Sequence, residues 1–120
     1  MIVLDYRDKR PLNEQVAEKL MNLIAQGGLS PGDKLPSVRN MAVDLSINPN
    51  TVQRAYATLE EKGYIVSVTG RGNFVSEEES WRKNLRSEMI SEFESVTRRV
   101  MTAGIGKEEA LECVSRIYEE

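Results

Sequence analysis

The residues whose types and spacing suggest specific chemistry are Asn50, Gln53 and Arg54, which follow the dipeptide Asn48-Pro49. Asn, Gln and Arg side chains can form paired hydrogen bonds with base edges in the major groove of DNA. Asn50 and Gln53 are three residues apart, and residues at that distance are neighbours on a helix surface. A helix that turns these side chains toward solvent would be suited to contact nucleic acid.

The flanking residues predict that such a helix begins at Pro49. Asn48 is a favourable N-cap, and proline at the first helical position loses no hydrogen bond that the helix needs. Ile47 and Val52 can form a hydrophobic staple across the cap. The helix has one apolar stripe, which excludes the three polar residues and consists of Val52, Ala55, Tyr56 and Leu59. Taken alone, this pattern also fits an ordinary capped helix at a protein surface.

Two earlier helices are predicted to position this one. The first begins after Pro11 and ends at Gly27-Gly28, and the second begins after the cap Ser37 and points Arg39 outward. Only Ser46-Ile47 and the cap Asn48 lie between the second helix and the third, which is the arrangement of a helix-turn-helix. The expected inner faces are Leu12, Val16, Leu20, Leu23 and Ile24 in the first helix, and Val38, Met41, Ala42 and Leu45 in the second. Residues 31–36 are expected to be a turn, and residues 2–4 an edge strand.

A β-hairpin is predicted after the third helix. Two β-rich runs, at residues 65–68 and 73–75, flank the glycine-rich tip Thr69-Gly70-Arg71-Gly72. A hairpin that directly follows a helix-turn-helix makes a winged helix, and its tip can contact a sugar-phosphate backbone. Arg71 is the only charged residue in this tip. The alternative is an ordinary hairpin whose glycines serve only the turn.

The rest of the chain predicts two amphipathic helices. The longer one carries an apolar stripe at Trp81, Leu85, Met89, Phe93, Val96 and Val100, and the last one carries Ala110, Leu111, Val114, Ile117 and Tyr118. Two helices cannot close a core by themselves, so their apolar faces must meet the first domain, each other or a second copy of the chain. The stripe could in principle line a ligand pocket, but two helices enclose little volume, which favours a dimer interface. We therefore expect a dimerisation region in residues 77–120 after a winged helix-turn-helix domain in residues 1–76. The fold class is α+β, mainly α.

Composition argues against several classes of protein. With 40% hydrophobic and 29% charged residues, the chain has the composition of a globular protein. There is no His, only Cys113 as a thiol, no glycine-rich phosphate loop and no metal-ligand spacing, so no enzyme, cofactor or metal site is expected. No apolar run reaches membrane-spanning length, and the N-terminus lacks the features of a signal peptide, so we expect a cytoplasmic protein.

The distribution of charge is more informative than its sum. The net charge is -3, yet residues 1–76 carry nine Lys or Arg against eight Asp or Glu, whereas residues 77–120 carry seven against eleven. The acidic excess thus lies in the predicted tail, and the cations of the first part are free to gather on one face.

Residues 11 to 76 resemble the DNA-binding domain of the GntR family of bacterial transcription regulators. The similarity is carried by residues 11–15 (PLNEQ), by residues 31–37 (PGDKLPS) leading to Arg39, and by residues 70–75 (GRGNFV). Residues 48–56 (NPNTVQRAY) and the short two-helix tail resemble its YtrA subfamily. The broader family often has Arg at the positions of Pro49 and Gln53, so the base contacts of other members do not carry over to these two positions.

This resemblance implies a dimeric repressor that reads a palindromic operator, often beside genes for an ABC transporter. It places on DNA the residues Arg39, Asn50, Thr51, Gln53, Arg54, Arg71 and Gly72. The short tail leaves no room for a dedicated effector domain, so a small-molecule effector is not expected. A winged helix used only for protein–protein interaction would explain the fold and the acidic balance, but it would leave the outward Asn, Gln and Arg residues without a role.

Overall fold

The computed structural model describes residues Met1–Glu120 and shows five helices and one two-stranded sheet. Their bounds are α1 Leu12–Ala25, α2 Val38–Leu45, α3 Pro49–Glu61, β1 Ile65–Val68, β2 Gly72–Val75, α4 Glu78–Thr102 and α5 Lys107–Tyr118. The predicted fold class, a winged helix-turn-helix followed by two helices, is confirmed. The chain divides into two compact units, Met1–Asn84 and Leu85–Glu120. None of the helices is long and apolar enough to cross a membrane.

The core of the first unit forms where α3 packs against both α1 and α2. The stripe predicted for α3 is confirmed, since all four of its residues are buried. Burial of a side chain the size of Val or Leu stabilises a fold by roughly 1.5–3 kcal/mol. The core is completed by residues from the other elements, among them Val16, Leu20, Ile24, Leu35, Met41, Tyr64, Ile65 and Val75. This core fixes which side of α3 remains at the surface.

The segment before α1 differs from the sequence-based expectation. Residues 2–4 form no strand, because the only sheet consists of β1 and β2 and gives them no partner. Gln15, which is only 1% exposed, holds this segment instead. Its Oε1 accepts from the Asp5 N–H at 3.3 Å, and its Nε2 donates to the Arg10 carbonyl at 3.2 Å. A buried amide requires such partners, and here they place the N-terminal segment against α1.

The hairpin of β1 and β2 is antiparallel and pairs Ile65 with Val75 and Val68 with Gly72. Its turn is closed by the Arg71 N–H, which donates to the Val68 carbonyl at 2.9 Å. The segment predicted as a simple turn also joins this sheet. The Leu35 N–H donates to the Asn73 carbonyl at 2.9 Å, and the Val75 N–H donates to the Asp33 carbonyl at 2.8 Å. These hydrogen bonds hold the connection between α1 and α2 against the hairpin, which is the wing of the winged helix.

The second unit contains the remainder of α4 and all of α5. Gly104, with a φ of +87°, lies in the turn between them. The two helices make few contacts with each other, and both carry exposed apolar side chains. Phe93, for example, is 56% exposed. The stripe predicted from sequence is thus present on these helices, and in the single chain it is largely uncovered.

Candidate nucleic-acid interface

The front of α3 is built by the residues that the sequence assigned to its cap. The Asn48 Oδ1 accepts from the Asn50 N–H at 2.8 Å, and Pro49 occupies the first helical position. Ser46, with a φ of 56° and a ψ of 44°, turns the chain out of α2 in the left-handed conformation. The Ile47 N–H then donates to the Ala42 carbonyl at 3.0 Å, which satisfies an end group of α2. The predicted cap is confirmed, and the turn between the helices is fixed by local hydrogen bonds.

Three side chains at the front of α3 are exposed and have no partner within the chain. Asn50, Gln53 and Arg54 lie at the surface, and no hydrogen bond or ion pair holds their side chains. Thr51 beside them is half-buried. Because the opposite side of α3 is buried in the core, the side of the helix that carries these polar groups must face outward, and their hydrogen-bonding capacity remains unused. Such a surface can read the edges of bases.

Helix α2 is held against α3 by a buried tyrosine. The Tyr56 hydroxyl donates to the Pro36 carbonyl at 2.7 Å, just before the start of α2. Burial raises the pKa of Tyr56 to about 12, so the phenol stays neutral and keeps its proton as a donor at neutral pH. Ser37 caps α2, with its Oγ accepting from the Asn40 N–H at 3.1 Å. Arg39 lies exposed in the first turn of this helix.

A groove of about 420 Å³ lies between the wing and the start of α2. Its lining includes two cations, Lys34 and Arg71, together with the hydroxyls of Ser37, Ser67 and Thr69. Gly72 has a φ of +120°, and a Cβ at that position would come within 2.9 Å of the Lys34 Cε. Glycine therefore leaves the space that the Lys34 side chain fills along the wing. The groove combines positive charge and hydroxyl donors, which are the groups that bind phosphate.

Lys34 lines this groove, and the sequence alone did not identify it as a candidate DNA-binding residue. It lies in the segment predicted as a plain turn, and its place beside the wing comes from a single β-bridge with Phe74. A one-residue bridge leaves no periodic pattern in a sequence. The only available signal was a lysine immediately before the Leu35-Pro36-Ser37 run that leads into α2.

The cations near the proposed interface are not neutralised within the chain. Lys34, Arg39, Arg54 and Arg71 are exposed and form no ion pair. Elsewhere in the first unit the pattern is different, since Arg10 pairs with both Asp8 and Glu18. We define the interface face as Lys34, Arg39, Asn50, Thr51, Gln53, Arg54, Arg71 and Gly72. Unpaired cations around a set of hydrogen-bonding side chains favour a polyanion as the binding partner.

The residues predicted for dimerisation are placed in three ways. Met89, Phe93, Val96 and Leu111 are exposed, whereas Leu85, Val100 and Val114 are half-buried. Trp81 departs from the prediction, because it is only 4% exposed and lies in the first unit. Its ring stacks on Tyr64 with 5.3 Å between centroids and 8° between planes. Trp81 thus belongs to the core of the winged helix unit, where Tyr64 already covers it.

Comparison with known proteins gives a family match over residues 12–75, to the model described as bacterial regulatory proteins, gntR family. The regulator YhcF of Bacillus subtilis is 33% identical over 95% of this chain and 95% of its own length. The repressor YtrA of the same organism is 46% identical over 64% of this chain and 59% of its own length.

Two solved structures are similar to this one. YtrA from Sulfolobus acidocaldarius, a GntR-family transcription factor, has a TM-score of 0.63 and 36% identity over 98% of this chain and 97% of its own. The DNA-binding domain of AraR in complex with its operator has a TM-score of 0.54 and 29% identity over 61% of this chain and 89% of its own. The match to the first structure covers both C-terminal helices. The second structure contains an operator, and DNA is a polyanion, the class of partner that the interface face favours.

Proposed function

The chain belongs to the gntR family of bacterial regulatory proteins, which regulate transcription and are not enzymes, and from this premise we propose that it is a sequence-specific repressor acting as a homodimer on a palindromic operator. The observation that supports sequence-specific reading is the front of α3, where Asn50, Gln53 and Arg54 are exposed, directed by a buried stripe and free of partners. Side chains of these types at the start of a helix can enter the major groove and bond to bases.

The remaining cations are assigned to the sugar-phosphate backbone. Arg39 extends from the first turn of α2, and Lys34 and Arg71 line the groove beside the wing. Contacts with phosphates fix the register of a protein on the duplex but carry no direct sequence information. With α3 in the major groove, these three cations hold the winged helix unit in place while α3 reads the bases.

A second copy of the chain is the proposed partner of the tail. The exposed residues Met89, Phe93, Val96 and Leu111 would leave apolar surface in water in a monomer. A two-fold dimer covers the same surface on both copies, and its symmetry requires a palindromic site. The cavity beside Trp81 holds only about 160 Å³, well below the roughly 300 Å³ of small-ligand pockets, and the groove of about 420 Å³ beside the wing is the one we assign to the sugar-phosphate backbone, so we propose no dedicated effector site. The resemblance of residues 48–56 and the two-helix tail to the YtrA subfamily implies one candidate target that we also propose, an operon for an ABC transporter.

Selection of duplexes from a random pool by the purified full chain tests this proposal. We expect an enriched palindrome whose half-sites lie about 10 base pairs apart, or a multiple of that distance, because both copies of α3 must reach the same side of the duplex. Enrichment of a single half-site would contradict the dimer. Binding without any enriched sequence would contradict base reading and would favour a winged helix that serves protein interaction instead.

Replacement of Lys34, Arg39 or Arg71 by Ala tests the assignment to phosphates. Each change should weaken binding to all sequences alike and reduce the salt dependence of log K by about one unit of slope per lost phosphate contact, that is about two units for the homodimer, since each subunit releases one counterion fewer. The matched control is Lys107→Ala, which removes an exposed cation at the start of α5. Affinity measured across a salt series gives the slope. A slope that none of the three replacements changes would exclude these cations from the DNA backbone.

A further inference from the structure

The C-terminal end of α3 is fastened to the first two turns of α4. We call this contact the α3–α4 joint and define it by Lys62, Gly63, Tyr64, Trp81 and Asn84. All five residues belong to the first unit. The joint holds the C-terminal end of α3, whereas the cap at Asn48 and the proposed base-reading residues lie at its N-terminal end.

Gly63 permits the closest approach in the joint. Its φ of +86° ends α3, with the Tyr64 N–H donating to the Leu59 carbonyl at 2.9 Å. A Cβ at this position would lie only 2.3 Å from the carbonyl oxygen of Ser80. Because this obstacle is backbone and not the tip of a flexible side chain, only glycine lets α4 pass so near to the end of α3.

Two directional contacts fix the angle at which α4 leaves the joint. The Asn84 Nδ2 donates to the Lys62 carbonyl at 3.1 Å, which satisfies an end group of α3 from outside the helix. One turn earlier, the Trp81 ring is stacked on Tyr64, and the Arg82 guanidinium lies 5.3 Å from the Trp81 ring centroid. A hydrogen bond and a ring stack at two successive turns resist both rotation and tilt of the helix.

We propose that the α3–α4 joint sets the spacing between half-sites that the protein accepts, with Trp81 and Asn84 as positioning residues that do not touch DNA. This inference rests on the proposed function. Helix α4 runs without interruption from Glu78 to Thr102 and so carries both positioning residues and the exposed apolar residues Met89, Phe93 and Val96. In a dimer held by that stripe, the direction in which each α4 starts fixes the separation of the two copies of α3.

The test uses the duplex that the wild-type chain selects, prepared with its half-site spacing unchanged or altered by one or two base pairs, and a duplex with one half-site. The full-length variants are Asn84→Ala and Trp81→Leu, and the control is Lys83→Ala, an exposed residue between them. We expect the wild type and the control to prefer one spacing by on the order of 10-fold or more, and the joint variants to lose most of that preference. Their affinity for the single half-site should stay within about 2-fold, since α3 keeps its front.

An unchanged spacing profile in folded variants would overturn the inference. Equal losses on the single half-site and on every spacing would also overturn it, because they would show damage to the reading surface itself. If Trp81→Leu does not fold, Asn84→Ala decides, since the exposed amide of Asn84 contributes only one hydrogen bond to the fold. A wild type that binds every spacing equally would overturn the proposed dimeric function and this inference together, whereas a failure of the variants alone leaves that function standing.

Discussion

A chain shortened to residues 1–84 is expected to lose affinity for an operator with two half-sites, by on the order of 100-fold or more relative to the full chain. In a dimer, binding of the first half-site brings the second α3 to its half-site at a high effective concentration, and removal of the link abolishes that gain. The shortened chain should still fold, because the first unit ends at Asn84 and keeps Trp81 and its stack on Tyr64. Its affinity for a single half-site should therefore be close to that of one winged helix unit in the full chain.

The length of the truncation provides the control. Ending the chain at residue 76 would also remove Trp81 and expose the buried Tyr64 ring, so that variant should lose stability as well as the dimer link. Loss of a large buried aromatic side chain costs roughly 3–5 kcal/mol. Thermal unfolding separates the two effects, and sedimentation reports the oligomeric state. Two results would contradict the prediction. One is a full chain that sediments as a monomer at micromolar concentration, and the other is a 1–84 chain that binds the whole operator as tightly as the full chain.

The parts of the fold that the sequence predicts are those determined by neighbours along the chain. The cap at Asn48, proline at the first position of α3 and the four buried residues of its stripe all depend on contacts within a few residues. Helical periodicity and cap chemistry are local rules, so one sequence is enough to apply them. The wing was likewise predictable, because β-rich residues flank a glycine-rich turn.

The differences from expectation arise where a distant residue decides the outcome. Trp81 continues the spacing of the tail stripe, but it stacks on Tyr64 and therefore belongs to the first unit. The spacing of apolar residues does not show whether Trp81 packs on Tyr64 or on a second copy of the tail. Lys34 reaches the interface face through a bridge to Phe74, which lies 40 residues further along the chain. Gln15 is buried because it satisfies backbone groups of the N-terminal segment. Each of these placements requires the tertiary contact to be known first.

The replacement Gln53→Ala is expected to remove the preference for one base at one position in each half-site. Gln pairs best with adenine through N6 and N7, and such a paired contact is worth about 1–3 kcal/mol of discrimination against the wrong base. Gln53 is exposed on α3 and has no partner in the chain, so its side chain is free for this contact. The free energy of unfolding should change by less than about 0.5 kcal/mol, because a solvent-facing side chain contributes little to the fold.

A panel of duplexes that differ by single bases from the selected operator separates base reading from backbone contact. The matched control is the same substitution at Gln26, which is exposed at the C-cap of α1 and lies outside the interface face. If Gln53 reads a base, the variant loses affinity for the preferred duplex and gains nothing elsewhere, so that the affinities of the four bases at one position converge while all other positions keep their order. If Gln53→Ala instead weakens binding to every duplex by the same factor, Gln53 contacts the backbone, and base reading by α3 must come from Asn50 and Arg54.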